Sequence, residues 1–112
     1  MMSINYFNIK ELEDKINLGF FSSNGGVSKG KYASLNCSSS TLDKKDNILI
    51  NIKIAKKNLG ISKKKLKILS QTHSNKIYQI NKSNFKNKYF GDGMITNEKD
   101  IALGVLTADC AP

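Results

Sequence analysis

The sequence predicts a mixed α+β fold: one amphipathic helix set among short strands, with neither an all-α nor an all-β arrangement. Three observations carry this. Ile48, Ile52, Ala55 and Leu59 recur at i, i+4, i+7 and i+11, which places them on one helical face. Residues 101–106, Ile-Ala-Leu-Gly-Val-Leu, form a nearly unbroken apolar run of strand length, the kind that belongs to a strand covered on both faces. Several other short stretches rich in β-favouring residues are bounded by Gly, Asn and Ser.

The elements follow in order. Residues 4–9 alternate loosely and predict a first strand, and residues 16–21 a second that stops at Ser22-Ser23-Asn24-Gly25-Gly26. Residues 32–36 predict another short strand, followed by a polar loop over 37–43. The helix is expected over about 46–59, with Asp43 or Asp46 capping its start, lysines in its last turns and Gly60 ending it. Residues 66–70 alternate as a strand running towards Gln71-Thr72-His73, with residues 76–80 its continuation or partner. A polar loop spans 81–88, a Gly91-Asp92-Gly93 turn leads into Met94-Ile95-Thr96, and the apolar run closes the series. That run needs cover on both faces, and one helix with a few half-polar strands supplies little of it, so the sequence reads as unfinished.

The chain has 112 residues, 39% of them apolar, which suits one domain or a piece of one. Its net charge of +9 invites a nucleic-acid reading, but all 18 basic residues are lysines. Arginine, whose planar fork reads phosphates and bases, is absent. Lysine, Asn and Ile all have AT-rich codons, so a biased genome explains the pattern, and no specific nucleic-acid partner is expected. Two cysteines, Cys37 and Cys110, make no disulfide framework. The start lacks the basic and apolar pattern of a signal peptide, and no apolar run is long enough to span a membrane. A cytoplasmic location is the expectation.

The chain contains no H-E-x-x-H, C-x-x-C, G-x-S-x-G or G-x-x-x-x-G-K-[ST] pattern. His73, the single histidine, and Cys110 each sit just past a predicted strand, where neighbouring loops can converge. Each also has an ordinary reading, as a surface imidazole and as a small apolar filler. Together they offer an imidazole and a thiolate to one zinc ion. A catalytic zinc site takes three protein ligands and leaves a fourth position open. Asp109, Asp92 and Cys37 are the remaining donors here, none at a diagnostic spacing. The loop Gly25-Gly26-Val27-Ser28-Lys29-Gly30 can bring backbone N–H groups and an ammonium to a phosphate, or can simply be a tight connection needing positive φ. Asp92, between two glycines, reads first as a turn residue.

Taken in order, GFFSSNGGVSKGKYASLN, the helix with Asn51, QTHS, DGMIT and ALGVLTADCAP resemble the YfiH-like, laccase-domain family from about Gly19 to Pro112. QTHS and LTADCAP together with the glycine-rich opening make this resemblance specific. It implies a layered α/β/β/α arrangement with mixed sheets, residues 1–112 being the N-terminal part of a single catalytic domain that is incomplete at its C-terminus. It implies a zinc-dependent purine nucleoside phosphorylase acting on adenosine, inosine and methylthioadenosine, with adenosine deaminase side activity. His73 and Cys110 then correspond to two zinc ligands and catalytic residues. The third ligand is a histidine in a His-Ala-Gly-Trp type segment, downstream of Pro112.

Gly25, Gly26, Ser28 and Lys29 become the candidates for holding phosphate, and Asp109 for orienting a metal ligand. Purine nucleosides and phosphate are the implied partners. Two departures stand out: Ser23 and Ile52 occupy positions where relatives often carry arginine. The older family label implies instead a copper-dependent polyphenol oxidase, which needs several coppers and many histidines. A third possibility is an inactive truncated fragment.

Overall fold

The computed structural model describes residues 17–106, together with the short strand Tyr6–Phe7. The sequence-predicted Cys110 and Asp109 lie outside the described residues, as do residues 107–112 as a whole. The fold combines α and β structure. One helix, α1 (Lys45–Asn58), is accompanied by six short strands: β1 (Tyr6–Phe7), β2 (Phe20–Phe21), β3 (Lys65–Ile68), β4 (Ile77–Gln79), β5 (Gly93–Ile95) and β6 (Ile101–Gly104). They form two compact units, Met1–Ser62 and Lys63–Pro112. No helix among the described residues is long and apolar enough to cross a membrane.

In the first unit β1 pairs antiparallel with β2, Tyr6 opposite Phe21 and Phe7 opposite Phe20. The expected strand over 16–21 is therefore confined, among its described residues, to its last two. The expected strand over 32–36 does not form. Gly30, at φ +65°, instead opens a 3-10 turn over Gly30–Tyr32 that Ala33 closes by donating its N–H to the Gly30 carbonyl. The next two N–H groups, of Ser34 and Leu35, both turn onto the Ser23 carbonyl, so the backbone has no ladder to join.

Helix α1 appears where its apolar stripe predicts. Ile48 is buried and Ile52, Ala55 and Leu59 are partly buried, while Leu49 and Ile50, off the stripe, are exposed. Its C-terminus follows from Gly60. At φ +77°, a conformation glycine adopts without steric cost, Gly60 donates to the Lys57 carbonyl, and Ile61 donates back to that of Lys56. This pair of reversed bonds satisfies carbonyls that the helix leaves open, and it buries Ile61. The N-terminus differs from expectation. The cap position is Lys44 and makes no side-chain capping bond, because the Asp43 carboxylate is engaged by Ser28 and Asn36 instead. Asp46 lies in the first turn, where its charge complements the helix dipole.

In the second unit β3 runs parallel to β6, from Lys65 opposite Ile101 to Ile68 opposite Gly104. β4 is neither the continuation nor the partner of β3. It runs parallel to β5, with Ile77 opposite Gly93 and Gln79 opposite Ile95. The two pairs are stitched by a bridge from Ser70 to Phe90, in which Ser70 donates to the Tyr89 carbonyl and Gly91 donates to that of Ser70. Leu69, Ile80 and Ile101 form the buried apolar positions of this unit. Cover along the β6 run is partial: on the one face that residues 101, 103 and 105 share, Ile101 is buried, whereas Leu103 and Val105 are exposed.

Candidate functional site

Strand β3 delivers the chain through Ser70 to the segment Gln71–Ser74, and a carboxylate from a distant loop fixes what happens there. Asp92 accepts the Thr72 N–H on its two oxygens at 3.2 and 3.3 Å, the Ser74 N–H at 2.6 Å and the Ser74 hydroxyl at 3.0 Å. Between those two anchored residues His73 adopts φ +57°, the left-handed region in which histidine is found more often than most residues but at a cost of about 1 kcal/mol or more. The His73 side chain is exposed. The donated bonds, led by the Ser74 backbone N–H, hold the Asp92 carboxyl below the usual carboxylate range.

Asp92 is itself fixed. Its own N–H and that of Gly93 both point at the Lys76 carbonyl, 3.2 Å away. Gly91 leaves no room for a side chain, since a Cβ there would meet the Tyr78 ring at 2.7 Å and the Lys76 carbonyl at 3.1 Å. The turn residue expected from Gly-Asp-Gly is thus also the organiser of the histidine segment. Among the described residues no group of three or more His, Cys, Asp or Glu side chains is placed to hold a metal ion. His73 is brought to an accessible position, and Cys110 lies outside the described residues.

In the first unit the glycine-rich loop is built on a polar core. Asn51, fully buried on the inner face of α1, accepts the Val27 N–H at 2.8 Å. It donates to Ser28 Oγ and to the Asn36 carbonyl, each at 2.8 Å. The Ser28 hydroxyl donates to Asp43 Oδ2 at 2.5 Å, and Asn36 donates to the same oxygen at 3.2 Å. The Asp43 carboxyl is accordingly lowered, chiefly by the Ser28 hydroxyl. Gly26 donates to Ser34 Oγ and Ser28 donates to the Ser34 carbonyl.

Three successive loop amides, at Gly26, Val27 and Ser28, are therefore turned inward. Gly25 and Ser28 are buried, while Lys29 is exposed and lines a shallow depression of about 440 Å³ with Tyr32, Asp43, Lys44 and Asn47. Asn51 stood in the sequence as part of a motif, not as a hub. The signal was a polar residue lying within the apolar stripe, which a folded helix tolerates only when the group is bonded.

A family described as multi-copper polyphenol oxidoreductase laccase matches residues 17–112. A purine nucleoside phosphorylase of Corynebacterium glutamicum is 31% identical over 90 residues, covering 79% of this chain and 37% of that protein. Another purine nucleoside phosphorylase, from Borreliella burgdorferi, is 43% identical over 49 residues, covering 44% of this chain and 21% of its own length. The crystal structure of YlmD from Geobacillus stearothermophilus superposes with a TM-score of 0.73 at 28% identity, covering 82% of this chain and 37% of that one. The chain thus spans less than two-fifths of the length of the relatives it matches. With the motifs from the glycine-rich loop to the last strand in family order, and the family match running from residue 17 to residue 112, the chain belongs to the laccase-domain, YfiH-like family of multi-copper polyphenol oxidoreductase laccases.

Proposed function

We propose that the full-length protein is a zinc-dependent purine nucleoside phosphorylase, with residues 1–112 the N-terminal part of its single catalytic domain. The observation that carries this reading is the His73 turn: an accessible imidazole on a backbone held in the left-handed region by four bonds to Asp92. Structure spent on displaying one histidine suits a ligand better than a surface residue. The relatives named purine nucleoside phosphorylase point to the substrate class.

In this reading His73 and Cys110 hold the ion, and a histidine from beyond Pro112 completes the set. Imidazole nitrogen and thiolate sulfur are donors that zinc takes readily, so the chemistry of the pair fits the metal. Bound zinc supplies Lewis acidity at its open position. Asp109 orients a ligand. Phosphate forms a bond to the anomeric carbon of adenosine, inosine or methylthioadenosine as the bond to the purine nitrogen breaks. The purine leaves with the electron pair and takes up a proton, and the sugar leaves as its 1-phosphate.

With the amides of Gly26, Val27 and Ser28 spent on the core, phosphate attraction in this loop rests on the exposed Lys29 ammonium. Gly25, Gly26 and Ser28 then serve to shape the loop. Adenosine deamination is a side activity, and the cytoplasm is the compartment.

The copper polyphenol oxidase reading has the family description in its favour. Against it stands the ligand set itself: His73, Cys110 and one further histidine make a mononuclear site, where multicopper chemistry needs several coppers. One experiment separates them. Full-length protein, purified without added metal, is expected to carry about one zinc per chain and to release hypoxanthine from inosine only when phosphate is present. Phenol oxidation with bound copper and no purine release would overturn the proposal. The 112-residue chain by itself, lacking a third ligand, is expected to consume no nucleoside.

A further inference from the structure

We propose that Asp92 is a positioning residue for His73: its carboxylate, reaching from the Gly91–Gly93 turn, clamps the backbone on both sides of the histidine and so sets where the imidazole stands. The inference rests on the reading of His73 as a metal ligand given above and adds a residue that touches neither metal nor substrate.

A non-glycine residue at φ +57° stays there only if its neighbours are held. Thr72 and Ser74 are those neighbours, and the Asp92 carboxylate takes an N–H from each and the Ser74 hydroxyl as well. An Asx residue that capped only its own turn would bond two residues along the chain. Asp92 instead spans 18 and 20 positions to reach this segment. The clamp is anchored at its other end, where the N–H groups of Asp92 and Gly93 converge on the Lys76 carbonyl and Gly91 packs against Tyr78 with no space for a Cβ. The Ser74 hydroxyl also accepts the Lys76 N–H at 3.3 Å, a local bond that holds Ser74 close to the residue anchoring Asp92. Groups standing behind metal ligands typically cost 10–100-fold in metal affinity when removed, because they fix the ligand's orientation.

The test uses the full-length protein and Asp92→Asn, which keeps size and one acceptor oxygen but turns an NH₂ towards donor N–H groups. Two quantities are measured: amide hydrogen exchange at Thr72 and Ser74 in the metal-free protein, and zinc affinity by competition with a chelator. Exchange at both amides is expected to quicken about tenfold, with zinc affinity falling about 10–100-fold, while the Ile80 amide that bonds Ile95 keeps its protection. Unchanged exchange at Thr72 and Ser74, or quickened exchange with wild-type zinc affinity, overturns the positioning role. If Ile80 loses protection too, Ser74→Ala takes over as the probe. Weaker zinc binding with Ile80 protected supports the clamp, and unchanged binding overturns it. Wild-type protein that takes up no zinc overturns instead the assignment of His73 as a ligand, and with it this inference.

Discussion

The side-chain oxygen of Asn51 lies 2.8 Å from the backbone nitrogen of Val27, so a single buried amide on the helix fixes the middle of the glycine-rich loop. The same amide's nitrogen donates to Ser28 and to the Asn36 carbonyl, so three groups from two loop segments depend on one side chain. Asn51→Ala removes all three bonds and leaves the Val27 N–H and the Asn36 carbonyl without the Asn51 amide. The expected loss is about 3 kcal/mol of unfolding free energy, from a penalty of about 1–3 kcal/mol for each stranded group, reduced where water enters. Urea unfolding followed by circular dichroism checks it, and a change under about 1 kcal/mol would mean that the network is not closed in solution.

Where the sequence carried a repeating physical signal, the structure could be read from it. The Ile48, Ile52, Ala55 and Leu59 stripe located the helix, and Gly60 located its end, because period and positive φ are local properties. The family match came from ordered motifs that survive without coordinates. The stretch 32–36 misled because β-favouring residues there are overruled by a glycine at φ +65° and by two amides converging on Ser23. β4 was assigned to the wrong neighbour because strand pairing is a long-range choice that alternation in one segment does not encode. At the candidate site His73 was legible as a donor, but its clamp was not, since Asp92 stands 19 residues further along the chain. The role of Asn51 was equally hidden. A polar residue on an apolar stripe announces that it is bonded, not to what.

Cys37 offers a prediction about reactivity. Burial pushes its thiol up to about 11, since the thiolate is disfavoured away from water, and its S–H faces the Leu35 carbonyl at 3.7 Å. At pH 8 only about one molecule in a thousand then carries the nucleophilic thiolate. Iodoacetamide is expected to alkylate Cys37 at least about tenfold more slowly in the native protein than after unfolding in urea, where the usual value near 8.5 returns. Peptide mass mapping after timed quenching reads this directly. Equal rates in the two states would show that the loop around Cys37 opens freely.

Asp43 makes the acid limb of the stability curve predictable. Its carboxyl is held below the usual value by the Ser28 hydroxyl first and then by Asn36, the Lys44 N–H and Asn47. A carboxylate whose folded pKa is depressed binds fewer protons folded than unfolded. Its contribution is therefore complete above the unfolded value of about 3.9 and is lost as pH falls from there through the folded value. Ser28 donates a hydrogen bond to this carboxylate and accepts one from Asn51, so protonating Asp43 also loosens the polar core. The urea midpoint of the wild type is expected to drop between pH 5 and pH 3 by more than that of Asp43→Asn, whose neutral amide cannot titrate. The variant is the less stable of the two at pH 5, because it presents an NH₂ where two donors already point. If both proteins lose the same amount between those pH values, the acid sensitivity resides in other carboxylates and the Ser28–Asp43 bond contributes nothing to it.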